Sequence, residues 1–368
     1  MAGALTGLRI IEFAGIGPAP FAGMMLADHG AEVIRIERPG EQFMPHSMAR
    51  GRRSIGVDLK AEEGIELVKD LCATAHGLIE GLRPGVMERL GLGPDLLLRI
   101  NPQLVYGRMT GWGQTGPLAQ APGHDINYIA VSGVLEGIGH PGERPVAPVN
   151  YVGDFGGGGM LLAFGMVSGL LAVKMGAPGQ VVDAAMTDGS ALLAAMSWGF
   201  KAAGMWPDGA GRGMLSGAAP FYRTYECADG KFVGVGAIEP QFWAALLSGL
   251  GLSDDPDFAQ QRNPATWPAQ LAKLEAMFAE RTRDDWAGHF APEACVSPVL
   301  TFDEAAAHPH NAARGTLAGG EPAPAPRFSA TPGEARPTRA GEATDAVLAS
   351  LGYHDDEIAR LRAAKIVG

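Results

Sequence analysis

Two short stretches carry side chains that could move protons: GHDINY at 123–128 and GDFGGGG at 153–159. His124 supplies an imidazole, the side chain whose ordinary charge change falls near neutral pH. Asp154 supplies a carboxylate directly ahead of a glycine-rich run. Gly156 to Gly159 have no side chains, so at a helix N-terminus they would leave N–H groups and the positive dipole end open to an oxyanion or enolate oxygen. Each residue also has a plainer reading. Asp154 stands where an N-cap would satisfy free helix amides, and a loop histidine is commonly a hydrogen-bonded structural residue. Asp125 and Asn127 neighbour His124 in sequence but need not face it, so its orienting partner can come from elsewhere. Glu239, in GAIEPQFW, is a candidate. It ends an apolar strand before a proline, where a carboxylate is either partly desolvated or a solvated turn residue.

Alternating strand and helix patterns surround these residues. LRIIEFAG (8–15) reads as a strand, the segment up to Gly30 as a helix, and EVIRIE as a second strand, which makes a βαβ unit. RSIGVDL, AEEGIELVKDLCATA, GLIEGL and LLLRINPQLVYGRMTGWG continue the alternation, which predicts a parallel sheet covered by helices. The glycines after the first strand, G-I-G-P-A-P, do not form the G-x-G-x-x-G dinucleotide fingerprint. A long apolar helix follows Asp154, and GQVVDAAMTDGSALLAAMSWGF adds a strand and a further helix.

These patterns predict a first part of a large α/β domain over 1–203, a glycine-rich linker over 204–220 and a smaller α+β domain over 221–317. The last of these opens with a hairpin whose turn is ADG. A Pro/Ala-rich linker is expected over 318–340, and C-terminal helices over 341–368 that return to the large domain, the second with acidic HDDE at its start. Met160, Met186, Met196, Met205 and Met214 read either as core gap-fillers or as an adaptable apolar surface.

Composition limits the partners. The 368 residues carry a formal charge of −11, which repels nucleic acid, so an anionic ligand has to be caught by local basic residues. The three cysteines lack metal or disulfide spacing, so a reducing compartment is the default. The N-terminus shows no export signal, and the apolar runs are broken by glycine or polar residues short of a membrane span. The expected location is cytoplasmic, with no span and no metal.

GLRIIEFAGIGPAPFAGMMLADHGAEVIRIERP, LIEGLRPGVMERLGLGP, RMTGWGQTGP, GHDINY, GDFGGGGM, GQVVDAAMTDG, YECADGKFVGVGAIEPQFW and APRFSATP occur in that order along nearly the whole chain. In this the sequence resembles the α-methylacyl-CoA racemase family of the class III CoA-transferase (formyl-CoA transferase) superfamily. The resemblance implies a Rossmann-like parallel-sheet α/β domain plus a smaller α+β domain, in an interlocked homodimer with the site between the large domain of one subunit and the small domain of the other. It makes Asp154 and His124 the two acid/base groups that interconvert (2R)- and (2S)-2-methylacyl-CoA through an enolate, with Glu239 pairing to the histidine. It also assigns Arg38, Arg52, Lys60, Arg83 and Arg89 to coenzyme A, which is part of the substrate, so no separate cofactor is expected. Asp125, Tyr128, Gly156 and Gly157 are the expected neighbours of the substrate. The competing activity is a CoA-transferase with Asp154 as nucleophile, and the competing class is a non-catalytic acyl-CoA binder.

Overall fold

The computed structural model describes residues 3–40, 46–207 and 209–368; Met1, Ala2 and Asp208, the last within the expected 204–220 linker, lie outside them. The chain divides into two units. One comprises Met1–Ser132, Pro148–Ala195 and Thr316–Gly368, and the other Gly133–Ala147 and Met196–Gly315.

In the first unit β1 (Arg9–Phe13), β2 (Glu32–Glu37), β3 (Arg52–Gly56), β4 (Gly77–Glu80), β5 (Val105–Thr110) and β6 (Gln180–Ala185) form one sheet. Its order is β3-β2-β1-β4-β5-β6, and every pairing is parallel. Order reverses at the β1/β4 junction, where ligands of such sheets bind beyond the strands' carboxyl ends. Period-two alternation assigns the side chains. Ile11, Ile34, Ile36 and Leu78 pack on one face with α2 (Glu62–Ala73), α3 (Pro94–Ile100), α11 (Thr344–Ser350) and α12 (Asp355–Ala363). Ile10, Val33, Ile79 and Val105 pack on the other with α1 (Pro18–Asp28) and α5 (Leu161–Lys174). Between these lie α4 (Asp125–Val131) and, after β6, α6 (Met186–Leu193); α7 (Ala195–Ala202) follows and from Met196 on belongs to the second unit. Both faces are covered, as the near-continuous apolar runs require.

The face under α1 also holds charge. Glu12 of β1 pairs with Arg35 of β2 and, at 3.0 Å, with Arg52 of β3, while Arg35 Nε donates to Glu37 at 2.7 Å. Arg52 Nη1 donates to the Arg50 carbonyl at 2.8 Å and Nη2 to that of Pro20. Its side chain is fully buried. This corrects the expected coenzyme contact at Arg52, whose donors are spent inside the fold because strand alternation turns it toward α1 rather than outward. The 318–340 stretch is likewise fastened to this unit. Arg50 Nη1 donates to Pro322 O at 2.6 Å, and the Thr338 hydroxyl accepts the Arg52 N–H and donates to the Arg52 carbonyl, both at 2.8 Å.

In the second unit β7 (Tyr222–Glu226), β8 (Phe232–Gly236) and β9 (Val296–Pro298) form an antiparallel sheet in the order β7-β8-β9. The turn over 227–231 closes with the Cys227 N–H on Lys231 O at 2.8 Å. Tyr225, Val233 and Val235 pack with Trp243 and Leu246 of α8 (Pro240–Gly249), Phe278 of α9 (Trp267–Phe278) and Trp286 of α10 (Arg283–His289). Residues 133–147 group here rather than with the sheet. The Gly211 N–H donates to Glu136 O at 3.0 Å, and the Val146 N–H to Ile138 O at 2.9 Å.

Removing the guanidinium of Arg52 takes one of two buried cations from Glu12, which keeps Arg35, and leaves the Arg50 and Pro20 carbonyls without that donor beside α1. Arg52→Ala is expected to lose about 3–5 kcal/mol of unfolding free energy in urea titration, and wild-type stability would show that the pair does not hold the sheet.

Candidate active site

Asp154 does not sit at an N-cap. Residues Tyr151–Met160 form a π-helix capped by Asn150 and continuous with α5, and the Phe155 N–H donates to Asn150 O, five residues back, at 3.3 Å. Such wide turns concentrate at functional sites. The glycines let this helix lie against its neighbours. A side chain at Gly157 would come within 2.7 Å of the Ser190 nitrogen, one at Gly158 within 2.9 Å of Met186 and Pro18, and one at Gly159 within 2.7 Å of Phe21. The expectation of an open helix terminus along the glycine run therefore changes: Gly157, Gly158 and Gly159 are buried by packing against α1 and α6, and Gly156 is half-buried beside Leu193.

Asp154 is half-buried, with contacts to both its carboxylate and its main chain. The Asn150 amide donates to Oδ2 at 3.1 Å, and a side chain at Gly17, in the β1–α1 loop, would lie 3.4 Å from the same oxygen. The Asp154 N–H donates to Asp125 Oδ1 at 2.6 Å. Burial pushes the Asp154 carboxyl above the ordinary aspartate range; the Asn150 hydrogen bond opposes this, the Asp125 charge adds to it, and the positive charge of His124 lowers it.

His124 is the exposed N-cap of α4, and its N–H donates to Asn127 Oδ1 at 3.0 Å, which fixes the backbone that carries the imidazole. Tyr128, one turn on, donates to Gly123 O at 2.5 Å and packs edge-on against Trp112 with ring centroids 4.8 Å apart. Burial raises its hydroxyl pKa, the Asp154 charge raises it further, and Arg83 lowers it. His124, Asp125, Tyr128, Asp154 and Arg83 thus share one electrostatic neighbourhood. Asn150, Gly17 and Trp112 were absent from the expectations; only the four-residue spacing of Asn150 and Asp154 hints at their contact.

A cavity of about 820 Å³ opens at the carboxyl ends of β1 to β4. Arg38 and Lys60 line it, as do Ala14, Gly15 and Ile16 of the loop whose next residue faces Asp154. Arg83 and Arg89 are exposed on the segment that leaves β4, whose Leu82, Val86 and Leu90 line the same cavity. In the second unit Glu239 is the exposed N-cap of α8, and its carbonyl accepts the N–H groups of Phe242 and Trp243. Among the described residues no cluster of His, Cys, Asp and Glu could hold a metal ion.

A parallel sheet with a cavity at the carboxyl ends of its strands, lined in part by Arg38 and Lys60, and a half-buried carboxylate at Asp154 agree with the family match. Residues 5–343 match the model of CoA-transferase family III, and the chain belongs to that family. It is 45% identical to the alpha-methylacyl-CoA racemase of Mus musculus, over 99% of this chain and 97% of the relative, and 43% identical to that of Homo sapiens, with the same coverage. Its fold matches the crystal structure of a CAIB/BAIF family protein from Brucella suis with a TM-score of 0.81 at 28% identity, covering 95% of this chain and all of the other.

The raised Asp154 pKa has a consequence for stability. The native carboxyl binds its proton more tightly than the unfolded chain does, so stability falls as pH rises from the ordinary aspartate range through the elevated one. Above that window the ionised carboxylate opposes folding. Asp154→Asn is expected to raise Tm near neutral pH and to flatten this part of the pH dependence, as read by scanning calorimetry; a variant less stable than wild type at neutral pH would contradict it.

Proposed function

We propose that the protein interconverts the epimers of 2-methyl-branched acyl-CoA thioesters by 1,1-proton transfer. The observation that carries this is a half-buried carboxyl, Asp154, whose pKa burial raises and whose main-chain N–H is held by the side chain of Asp125, the residue after His124 at the start of a separate helix. Inversion at a carbon beside a thioester removes the α-proton to one base, leaving an enolate, and returns a proton to the opposite face from a second group. One proton leaves and one arrives. A carboxyl whose pKa is raised by burial can be the donor in one direction and the acceptor in the other. Arg38 and Lys60, which line the cavity, would meet the nucleotide phosphates, and the loop Ala14–Gly17 leads from the cavity to Asp154. The 45% identity to a racemase over nearly the full length supports the same reading.

Glu239 as the group that orients His124, a reaction needing no added cofactor, and a cytoplasmic setting belong to this proposal. A homodimer does too. The π-helix and α5 together make 24 residues, long and apolar enough to cross a membrane, with a mean hydropathy of 1.7 over their most apolar stretch. Leu162, Met166 and Leu170 of this run pack on the sheet, whereas Met160, Phe164, Val167, Leu171 and Met175 form a stripe that is exposed in the single chain. A helix apolar on both sides needs cover on both, and a second copy supplies it. The double variant Phe164→Glu/Leu171→Glu is expected to sediment as a monomer where wild type sediments as a dimer. A double variant that stays dimeric removes this face from the interface.

The reaction itself is tested with one 2-methylacyl-CoA epimer in heavy water, without acceptor acid. Epimerisation with one deuterium at the α-carbon is expected, and His124→Ala and Asp154→Ala should each lower the rate by about 10²–10⁴-fold. Coenzyme A transfer that occurs only when a free acid is added would establish instead a transferase with Asp154 as nucleophile. Binding of acyl-CoA with no turnover would leave a binding protein.

A further inference from the structure

The buried carboxylate of Asp125 is not used by the proton-transfer scheme, yet it joins the two elements that the scheme needs. We propose that Asp125 is a positioning residue that sets the separation of the two proton-transfer groups: its main chain carries His124 at the start of α4, and its side chain grips the main chain of Asp154. The inference rests on the reading of His124 and Asp154 as the acid/base pair.

Three observations carry it. Asp125 is only 6% exposed, and its Oδ1 accepts the Asp154 N–H at 2.6 Å across 29 residues of sequence. The chain on the other side of that bond is shaped to admit it, since a side chain at Gly153 would come within 2.5 Å of the same oxygen. Oδ2 is buried with no hydrogen-bond partner. A buried carboxylate oxygen without a partner is costly, and an asparagine carbonyl could accept the same N–H. The retained negative charge therefore has a second effect, which is to favour the protonated form of the neighbouring Asp154 carboxyl. The groups that face the pair are His124 and Tyr128 on α4 and Asn150 ahead of the π-helix, with Arg83 after β4 acting on Tyr128. None of these donates a hydrogen bond to Oδ2.

Clamp and charge separate by substitution. In Asp125→Asn the amide oxygen keeps the bond to the Asp154 N–H while the charge is lost. In Asp125→Ala both are lost. The pH dependence of kcat for 2-methylacyl-CoA epimerisation is measured for both variants and for Asp154→Ala. Asp125→Asn is expected to keep kcat within about tenfold of wild type at its optimum, with the ionisation of Asp154 moved to lower pH by about half a unit or more. Asp125→Ala is expected to lose about 10²-fold in kcat with KM changed only a few-fold, as a misplaced proton-transfer group requires. A profile for Asp125→Asn that superimposes on wild type, or a kcat for Asp125→Ala within about threefold of it, would overturn the proposal. If Asp125→Ala does not fold, the profile of Asp125→Asn decides alone. The two readings fail differently: Asp154→Ala with wild-type activity removes the acid/base pair itself, whereas an essential Asp154 with silent Asp125 variants removes only the positioning role.

Discussion

Everything at the site depends on how closely the π-helix can lie against its neighbours. Its glycines meet α1 and α6 at distances that no side chain would allow: a Cβ on Gly189 would fall within 1.8 Å of the Gly157 carbonyl, and one on Gly159 within 2.8 Å of the Pro18 carbonyl. That approach half-buries Asp154 and so raises its affinity for a proton. It also brings Gly17, in the loop that lines the cavity, over the same carboxylate. Packing and proton affinity are here one property. A helix held farther away would bury Asp154 less and weaken the effect of burial on its carboxyl.

The same economy applies to positive charge. A protein with a net charge of −11 that is to bind a polyphosphate needs cations at the ligand, yet three of its arginines near the sheet are committed inward. Arg35 and Arg52 neutralise Glu12 and Glu37 beneath α1, and Arg50 holds Asp28 and the Pro322 carbonyl. Arg38, one residue beyond β2, and Lys60, beyond β3, lie past the strand ends and face the cavity. Arg35 and Arg52, inside their strands, are held in buried ion pairs beneath α1, whereas Arg38 and Lys60, past the strand ends, line the cavity.

This explains which parts of the molecule were legible in the chain and which were not. The strands of the large sheet announced themselves by short apolar runs, and the hairpin by ADG between two alternating segments, because burial pattern and turn chemistry are local. The acidic start of α12 was equally local: Asp355, Asp356 and Glu357 occupy its first turn. Arg52 misled because the resemblance assigns it to coenzyme A with four other basic residues, whereas its burial depends on Glu12, a residue forty positions away that only the sheet brings near. The glycine run misled for a related reason. Absent side chains signal close approach, but sequence does not say whether ligand or helix approaches. Asp125 was visible as a neighbour of His124, whereas its grip on Asp154 spans 29 residues and follows only from the placement of α4 against the π-helix.

The helix that carries Asp154 also leaves apolar surface exposed in a single chain. Met166 and Leu162 of α5 press on β4 and β5, where Gly77 and Gly107 leave the room. On the opposite side Phe164 is 71% exposed and Met175 79%. Apolar surface at that density on one helix favours association by the same transfer free energy that buries the inner face, about 25 cal/mol per Å². In the proposed dimer, covering the stripe would hold α5 from outside as the sheet holds it from inside. The π-helix is continuous with α5, so that cover would also steady the segment on which Asp154 stands. Assembly and proton affinity would then be coupled through one continuous helix, and loss of the second copy would loosen the site without altering any residue in it.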